Sequence, residues 1–385
     1  MDHKSLKSNR MRYRREKRFK LYCAGALVLA GIFLVVFFAD IISKGYTAFW
    51  QAQIRVDASY TQEVKEMPFL AVSEEVSELV SRSWFRQLPR KLKQHPELIG
   101  TSSSEWVLAT GAMDQYLKDK PNGLNQQQKQ LVDRLKEQGR TRLAFNTYFF
   151  TQGDSKLPES SGIFSAVVGT IYVMMVTMAF SLPTGVLTAI YLEEFASDNW
   201  LTRAIEVNIN NLAAIPSILY GLLGLAIFIN YVGIPRSSAL AGGLTLGLMS
   251  LPVIIISSRA ALRSVPDSVR EAAFGVGASR WQVVAHHVLP MSLPGILTGS
   301  IIALAQAMGE TAPLLIVGMM AFIPEAPSGF TDAATVMPAQ IYTWSSAALP
   351  PYAERTAAAI IVLLAVLILL NLAAVLLRKR YERSW

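Results

Sequence analysis

Residues 271–290 read EAAFGVGASRWQVVAHHVLP and lie between two long apolar runs. The stretch is too polar to cross a bilayer and too regularly patterned to be a slack linker. With its lead-in, ALRSVPDSVR at 261–270, it reads as two capped helices. Ser264 is placed to cap the first, with Pro266 and Asp267 in the opening turn, where a missing N–H is harmless and a negative charge is favoured. Gly275 and Gly277 end that helix, Gly277 being the better left-handed stop. Ser279 followed by Gln282 three residues on forms a capping box, so a second helix begins at Arg280 and Trp281 and is expected to run to Pro290. Ala272, Ala273 and Ala278 are small enough for close packing, and Arg280 and Trp281 belong to the residue types that dominate interface energetics. The loop therefore presents an ordered surface.

What flanks it decides the environment. The 385 residues are 52% hydrophobic and only 17% charged, against about 25% charged in an average soluble domain. A helix needs about 20 mostly apolar residues to cross the hydrocarbon. Runs of that kind occur near 21–42, 163–190, 209–230, 239–257, 295–322 and 354–377, six expected spans. The net charge of +8 is concentrated in residues 1–20, where Lys4, Lys7, Arg10, Arg12, Arg14, Arg15, Lys17, Arg18 and Lys20 face only Asp2 and Glu16. Basic residues before a span mark its cytoplasmic side. They also suit anionic lipid, whereas a nucleic-acid surface would carry aromatic platforms that are missing here. The apolar run at 21–42 is a full span with no small-residue cleavage site after it, so it is expected to stay as an anchor. Six spans then return the tail, 378–385, to the cytoplasm, in keeping with Arg378, Lys379, Arg380 and Arg383. The loop of interest, with Arg259, Arg263, Arg270 and Arg280, falls on the same side. Residues 191–208 fit less well, carrying Glu193, Glu194, Asp198 and Glu206 against Arg203.

Residues 43–162 form an insertion outside the membrane, with its charges well mixed. Val76, Leu79, Val80 and Trp84 at helical spacing up to Pro89, a capping pattern at Ser102 and Glu105, and Leu124, Leu131, Val132 and Leu135 before Gly139 make it read as mostly helical. A spacer or docking surface is the plain reading, since no metal-ligand spacing or nucleophile constellation occurs in it. Cys23, the single cysteine, lies within the first span, so no internal disulfide is available. The chain has no G-x-x-x-x-G-K-[ST], H-E-x-x-H or G-x-S-x-G stretch, so it is expected to be no enzyme, with neither a catalytic nor a metal site. His286 and His287 are adjacent and cannot share one helix face as a metal pair would.

The fifth span reads GILTGSIIALAQAMGETAPLLIVGMM. Gln306 and Glu310 are one helical turn apart, and Gly299 and Ala303 continue that face, where a partner helix can come close. An ionisable residue in a span is a functional-site hypothesis, against the alternative of a carboxylate satisfied by a neighbouring helix. A carboxylate repels a permeating anion unless it is neutral, balanced by arginine, or meets a hydroxyl on the solute. A protonated phosphate oxygen supplies such a hydroxyl, so the residue could select phosphate from fully deprotonated oxyanions.

Glu271, Ala272, Ala273, Gly277, Leu289 and Pro290 stand in register with the E-A-A-x-x-x-G-x₉-I-x-L-P loop, in which the chain resembles permease subunits of ABC importers; His287 replaces the usual Ile or Val. AIYLEEFA at 189–196, AAIPSILYGLLGL at 213–225, GETAPLL at 309–315 and FTDAATVMPAQIYTW at 330–344 narrow the likeness to the PstA family of phosphate-importer permeases over about 155–385. The insertion resembles the extra N-terminal domain of longer members. The resemblance implies an all-α integral membrane protein with the type I ABC importer permease fold, in the bacterial inner membrane with both termini cytoplasmic. It implies a core at 163–377 with a coupling loop at 264–290, where Glu271, Ala272, Ala273, Gly277, Ala278, Ser279, Arg280 and Trp281 meet an ATPase and Glu271 braces the helix. It further implies a PstC-like second permease, a PstB-like ATPase dimer holding the ATP and magnesium, so that this chain needs no cofactor of its own, and a PstS-like phosphate receptor. Ser217, Gln306, Glu310 and Thr311 would line the pathway, with Pro216 and Pro313 kinking spans beside it. Many phosphate permeases carry arginine where Gln306 stands, so the attracting charge would come from elsewhere, the partner permease being the first candidate. Two rivals remain: a permease for another oxyanion such as phosphonate or molybdate, and an ion-coupled carrier relaying protons through Glu310.

Overall fold

The computed structural model describes residues 3–319 and 322–381. Met1 and Asp2 of the basic N-terminus, Met320 and Ala321 of the expected fifth span, and Arg383 with the end of the tail lie outside them. Helix α1 (His3–Gly45) is one 43-residue rod. At 1.5 Å per residue it is about 65 Å long, twice the hydrocarbon thickness, so the basic segment continues the apolar one without a break. Its Leu27, Leu29 and Phe33 face outward, as side chains in lipid would. At its far end Gly45 lies so close to the backbone of Ala357 and Ala358 that a Cβ would sit 2.8 Å from them.

The segment that follows combines its helices with a small sheet that the sequence reading did not include. Strands β1 (Trp50–Ser59), β2 (Ser102–Leu108) and β3 (Thr141–Phe145) form an antiparallel sheet in the order β2-β1-β3. The register sets Ile54 opposite both Val107 and Thr141. The expected helix opening at Ser102 is thus strand β2. A Ser-x-x-Glu pattern supplies only a local cap, and seven residues of pairing with β1 outweigh it. The stretch at 73–93 also divides differently, into a turn at Glu74–Ser77 and helix α2 (Arg82–Gln94) capped by Ser81. Pro89 lies inside α2 rather than ending it. The penalty of about 3 kcal/mol is offset by burial of Phe85, Leu88 and Leu92 on the same helix, each worth about 1.5–3 kcal/mol. Helix α3 (Gly111–Leu117) follows, then α4 (Gln126–Glu137), which starts from a capping box of Asn125 and Gln128. Gly139, at φ +67°, reverses the chain after α4 as the sequence predicts. Ile54, Val56, Leu79, Phe85, Leu92, Met113 and Val132 close a hydrophobic core of this segment's own.

The remaining chain is helical: α5 (Phe164–Ile190), α6 (Trp200–Ala213), α7 (Ser217–Gly224), α8 (Ala239–Arg263), α9 (Asp267–Gly275), α10 (Arg280–Gly309), α11 (Ala312–Ile316), α12 (Met337–Ser345) and α13 (Pro350–Tyr381). Among the described residues five helices are long and apolar enough to cross a membrane, and α6 with the helix from Ser217 to Tyr231 passes the same test only as a pair bent by 106°, which gives up to six crossings. The expected third span is therefore interrupted. Pro216 has no N–H to continue α6 and disfavours helical geometry at Ile215, so the chain turns there. The fifth breaks too: α10 stops at Gly309 because Pro313 can neither donate to the Gly309 carbonyl nor fit its ring against it. Helix α8 is the most enclosed, with Thr177 of α5 donating a 3.0 Å hydrogen bond to the Gly243 carbonyl. Val173, Tyr220, Leu246, Met249, Ala307 and Leu314 join α5, α7, α8, α10 and α11 in one cluster.

Segment 46–162 is bound to α13 by a buried ionic seam at the α5 N-terminal end of the bundle. Lys118 pairs with Asp114 at 2.7 Å and Glu354 at 3.1 Å, and Arg355 donates to the Ser161 carbonyl at 2.6 Å. The loop between α9 and α10 meets the opposite end of α5.

Candidate functional site

Residues 264–290 form the two helices that the sequence predicts, with two shifts. Ser264 does not open α9; it closes α8, and Pro266 occupies the cap position before Asp267. The reason is that α8 continues its apolar face through Leu262 and leaves only Val265 and Pro266 to turn the chain. Pro290 does not end the second helix either: the widened π-turn Val284–Val288 just before it removes the need for a donor at Pro290, and α10 runs on into the membrane. The stop between the helices is as expected. Gly277 has φ +87°, and its N–H and that of Ala278 bond to the Phe274 and Ala273 carbonyls at 2.9 and 3.1 Å. The Ser279–Gln282 capping box opens α10.

The loop has a buried side and a free side. Ala273, Val283 and Val288 pack with Ala189 of α5, Leu192 just after it, Ile209 of α6 and Leu262 of α8. Ala278 is half-buried; Glu271, Ala272, Gly277, Ser279, Arg280 and Trp281 are exposed. Phe274, Val276 and Trp281 are 47, 86 and 68% exposed, so three large apolar side chains point away from the bundle. Arg280 lies over the Phe195 ring at 5.7 Å. Glu271 makes no ion pair among the described residues.

The bracing comes from its neighbour. Arg270 donates to Glu194 at 2.8 Å and to the Leu262 and Val265 carbonyls at 3.0 and 2.7 Å, capping the end of α8. The hydrogen bond it donates to Glu194, opposed by burial, holds the Arg270 guanidinium above its ordinary pKa. Glu193 accepts from Arg263 at 2.7 Å and Arg259 at 3.3 Å, and Arg259 reaches on to Glu206 of α6 at 2.5 Å. Both glutamates sit on a second π-turn, Tyr191–Phe195, after α5. None of these six residues stood out as a site in the sequence. The signal was there as the acidic excess at 191–208: it is the counter-charge of the arginines at 259–270.

The candidate pathway residues gather at the two breaks. Ser217 opens α7; Glu310 and Thr311 link α10 to α11. Helices α7 and α11 touch where a Cβ on Gly221 would lie 2.7 Å from the Pro313 Cα, so only glycine allows that approach. Gln306 is exposed on the last turns of α10, and Glu310, at φ −78° and ψ 129°, has left the helix. The chain turns away after Glu310, where an unbroken fifth span would have continued. Gly299 does meet a partner helix: Ser257 of α8 occupies the space a Cβ would need. Among the described residues, no hydrogen bond joins the side chains of Ser217, Gln306, Glu310 and Thr311, and no group of three or more His, Cys, Asp or Glu side chains could hold a metal.

A polytopic helical core, broken in its interior and carrying a two-helix loop with an exposed apolar knuckle, defines a membrane permease subunit. The family model described as binding-protein-dependent transport system inner membrane component matches residues 181–384, more than half of the sequence, and the chain belongs to that family. It has the fold of type I ABC importer permeases and is a multi-pass inner-membrane protein. A second model, described as a domain of unknown function, matches residues 6–68, from α1 to just beyond β1. The chain is similar to phosphate transport system permease protein PstA 1 of Mycobacterium tuberculosis, 35% identical over 42% of this chain and 53% of that one. It is 34% identical to PstA of Yersinia pestis over 40 and 52%, and 34% identical to the "Probable ABC transporter permease protein YqgI" of Bacillus subtilis over 46 and 59%. The matches thus span little more than half the length of these relatives. Among solved structures, an inward-facing MetNI methionine ABC transporter chain aligns with TM-score 0.44 and 21% identity, over 58% of this chain and 95% of that one.

Proposed function

We propose that the chain is the transmembrane subunit of an ATP-driven importer of inorganic phosphate. In this reading a PstC-like permease completes the pore, and two PstB-like ATPases, holding ATP and magnesium, dock at the coupling loops. A PstS-like receptor delivers phosphate at the α5 N-terminal end, and both termini face the cytoplasm. The observation that carries it is the exposed knuckle of Phe274, Val276 and Trp281 on a loop whose other side is locked into the bundle. Such a surface suits a partner that pushes on it, because the loop can transmit a displacement as a rigid body. The PstA names of its relatives support phosphate as the solute. At neutral pH phosphate still carries a proton, which Glu310 can accept in a hydrogen bond at the helix break; Gln306, Thr311 and Ser217 add neutral polar groups nearby.

The assembly purified with its ATPase and receptor tests this directly. Phosphate should stimulate ATP turnover and enter sealed vesicles only with ATP, and excess phosphonate or molybdate should not compete. Uptake that follows either rival anion instead would reassign the solute. Uptake that survives ATP depletion but collapses with an uncoupler would favour the ion-coupled carrier.

A further inference from the structure

The geometry points to a second working part: a charge relay, centred on the π-turn Tyr191–Phe195, that carries movement of the coupling loop to the broken helix α6–α7. It rests on the permease reading above and names positioning residues that the reading does not use. Glu193 and Glu194 are consecutive, yet they serve different elements. Glu194 takes Arg270 from the coupling loop, and Glu193 takes Arg263 and Arg259 from α8. Arg259 then holds Glu206 of α6. Three arginines and three glutamates thus join four elements in one chain of contacts, and α6 leads to the break at Pro216, where α7 meets Pro313 beside Glu310.

Two features separate this network from ordinary surface pairs. The side chains of Arg259, Glu193, Arg270 and Glu194 are only 14, 16, 17 and 9% exposed, so little solvent screens them. The glutamates also sit on a π-turn, an irregular turn that recurs at functional sites. Apolar contacts around Leu192, Ile209 and Leu262 already hold the elements together. The ion pairs add a directional tie, one that resists sliding of α9 past α5 and α6.

The test uses the full transporter assembly, reading phosphate uptake and ATP turnover together. Glu194→Gln and Glu194→Arg should lower phosphate carried per ATP hydrolysed by about tenfold, a coupling loss of ordinary allosteric size, while the ATPase still co-purifies. If Glu194→Arg fails to accumulate, Glu194→Gln gives the same reading. Unchanged uptake per ATP or a parallel fall of uptake and ATP turnover would each overturn the relay. Spin labels at Ser268→Cys and Leu219→Cys in a Cys23→Ser background give a readout that needs no phosphate. Their distance should change with nucleotide, and Glu194→Gln should reduce that change; an undiminished change would overturn the relay. If the wild-type assembly carries no phosphate but the labels behave so, the solute assignment falls and the relay stands.

Discussion

Gly277 illustrates how much a single residue settles. At φ +87° an L side chain is strained, by about 1–2 kcal/mol for most residues, but Asn is tolerated there. Nothing lies within 4 Å of a Cβ added at this position, so the chain itself offers no clash. Gly277→Asn should therefore keep near-normal uptake, whereas Gly277→Val should lose it with the protein still in the membrane. An Asn as damaging as Val would mean that a docked partner, rather than the backbone, selects glycine. Trp281, 68% exposed, is a candidate anchor for that partner. Trp281→Ala should weaken ATPase co-purification by about 2 kcal/mol, or about thirtyfold, and leave the thermal stability of this chain unchanged; retention at wild-type strength would move the docking surface elsewhere.

Among the elements, the broken helices are the most consequential. A straight third span would carry Ser217 past α11; the 106° bend instead lays α7 against it. Gly221→Val would force its side chain into Pro313 and part the two breaks. Uptake should fall at least about tenfold, while ATPase docking, proposed for α9 and the start of α10, persists. Normal transport would show that the contact does not shape the pathway. The π-turn at 284–288 plays a different part, keeping α10 continuous through Pro290, so a push on Trp281 reaches the membrane through one helix.

For the whole molecule, the ionic seam at the far end ties segment 46–162 to the bundle, beside the apolar contacts of Ala48 and Phe149 with Trp344 and Tyr352. Lys118, Asp114 and Glu354 are 5, 9 and 4% exposed, and Lys120, 3.4 Å from Glu354, would be the one cation left to these two buried carboxylates without Lys118. Lys118→Met should cost about 3–5 kcal/mol, seen as a lower unfolding temperature and faster proteolysis within 46–162. Adding Glu354→Gln should restore part of the loss. If Lys118→Met were neutral, the seam would contribute nothing to docking.

The membrane class, the two-helix loop with its stop at Gly277 and box at Ser279, and the close approach at Gly299 were legible in the sequence, because each depends on run length or on residues within one turn of one another. The sheet was not: Ser102–Leu108 carries a local helix signal, and only pairing with β1, some fifty residues earlier, makes it a strand. Nor was the geometry around Glu310 or the partnership of Glu193, Glu194 and Glu206 with the arginines of α8 and α9. Helical spacing assumes an unbroken helix, and long-range ion pairs have no spacing at all. Apolar patterning and caps fixed what can enter the membrane and where the two-helix loop begins and stops; the meeting of distant prolines, glycines and charges, which depends on packing, was decided only in the tertiary structure.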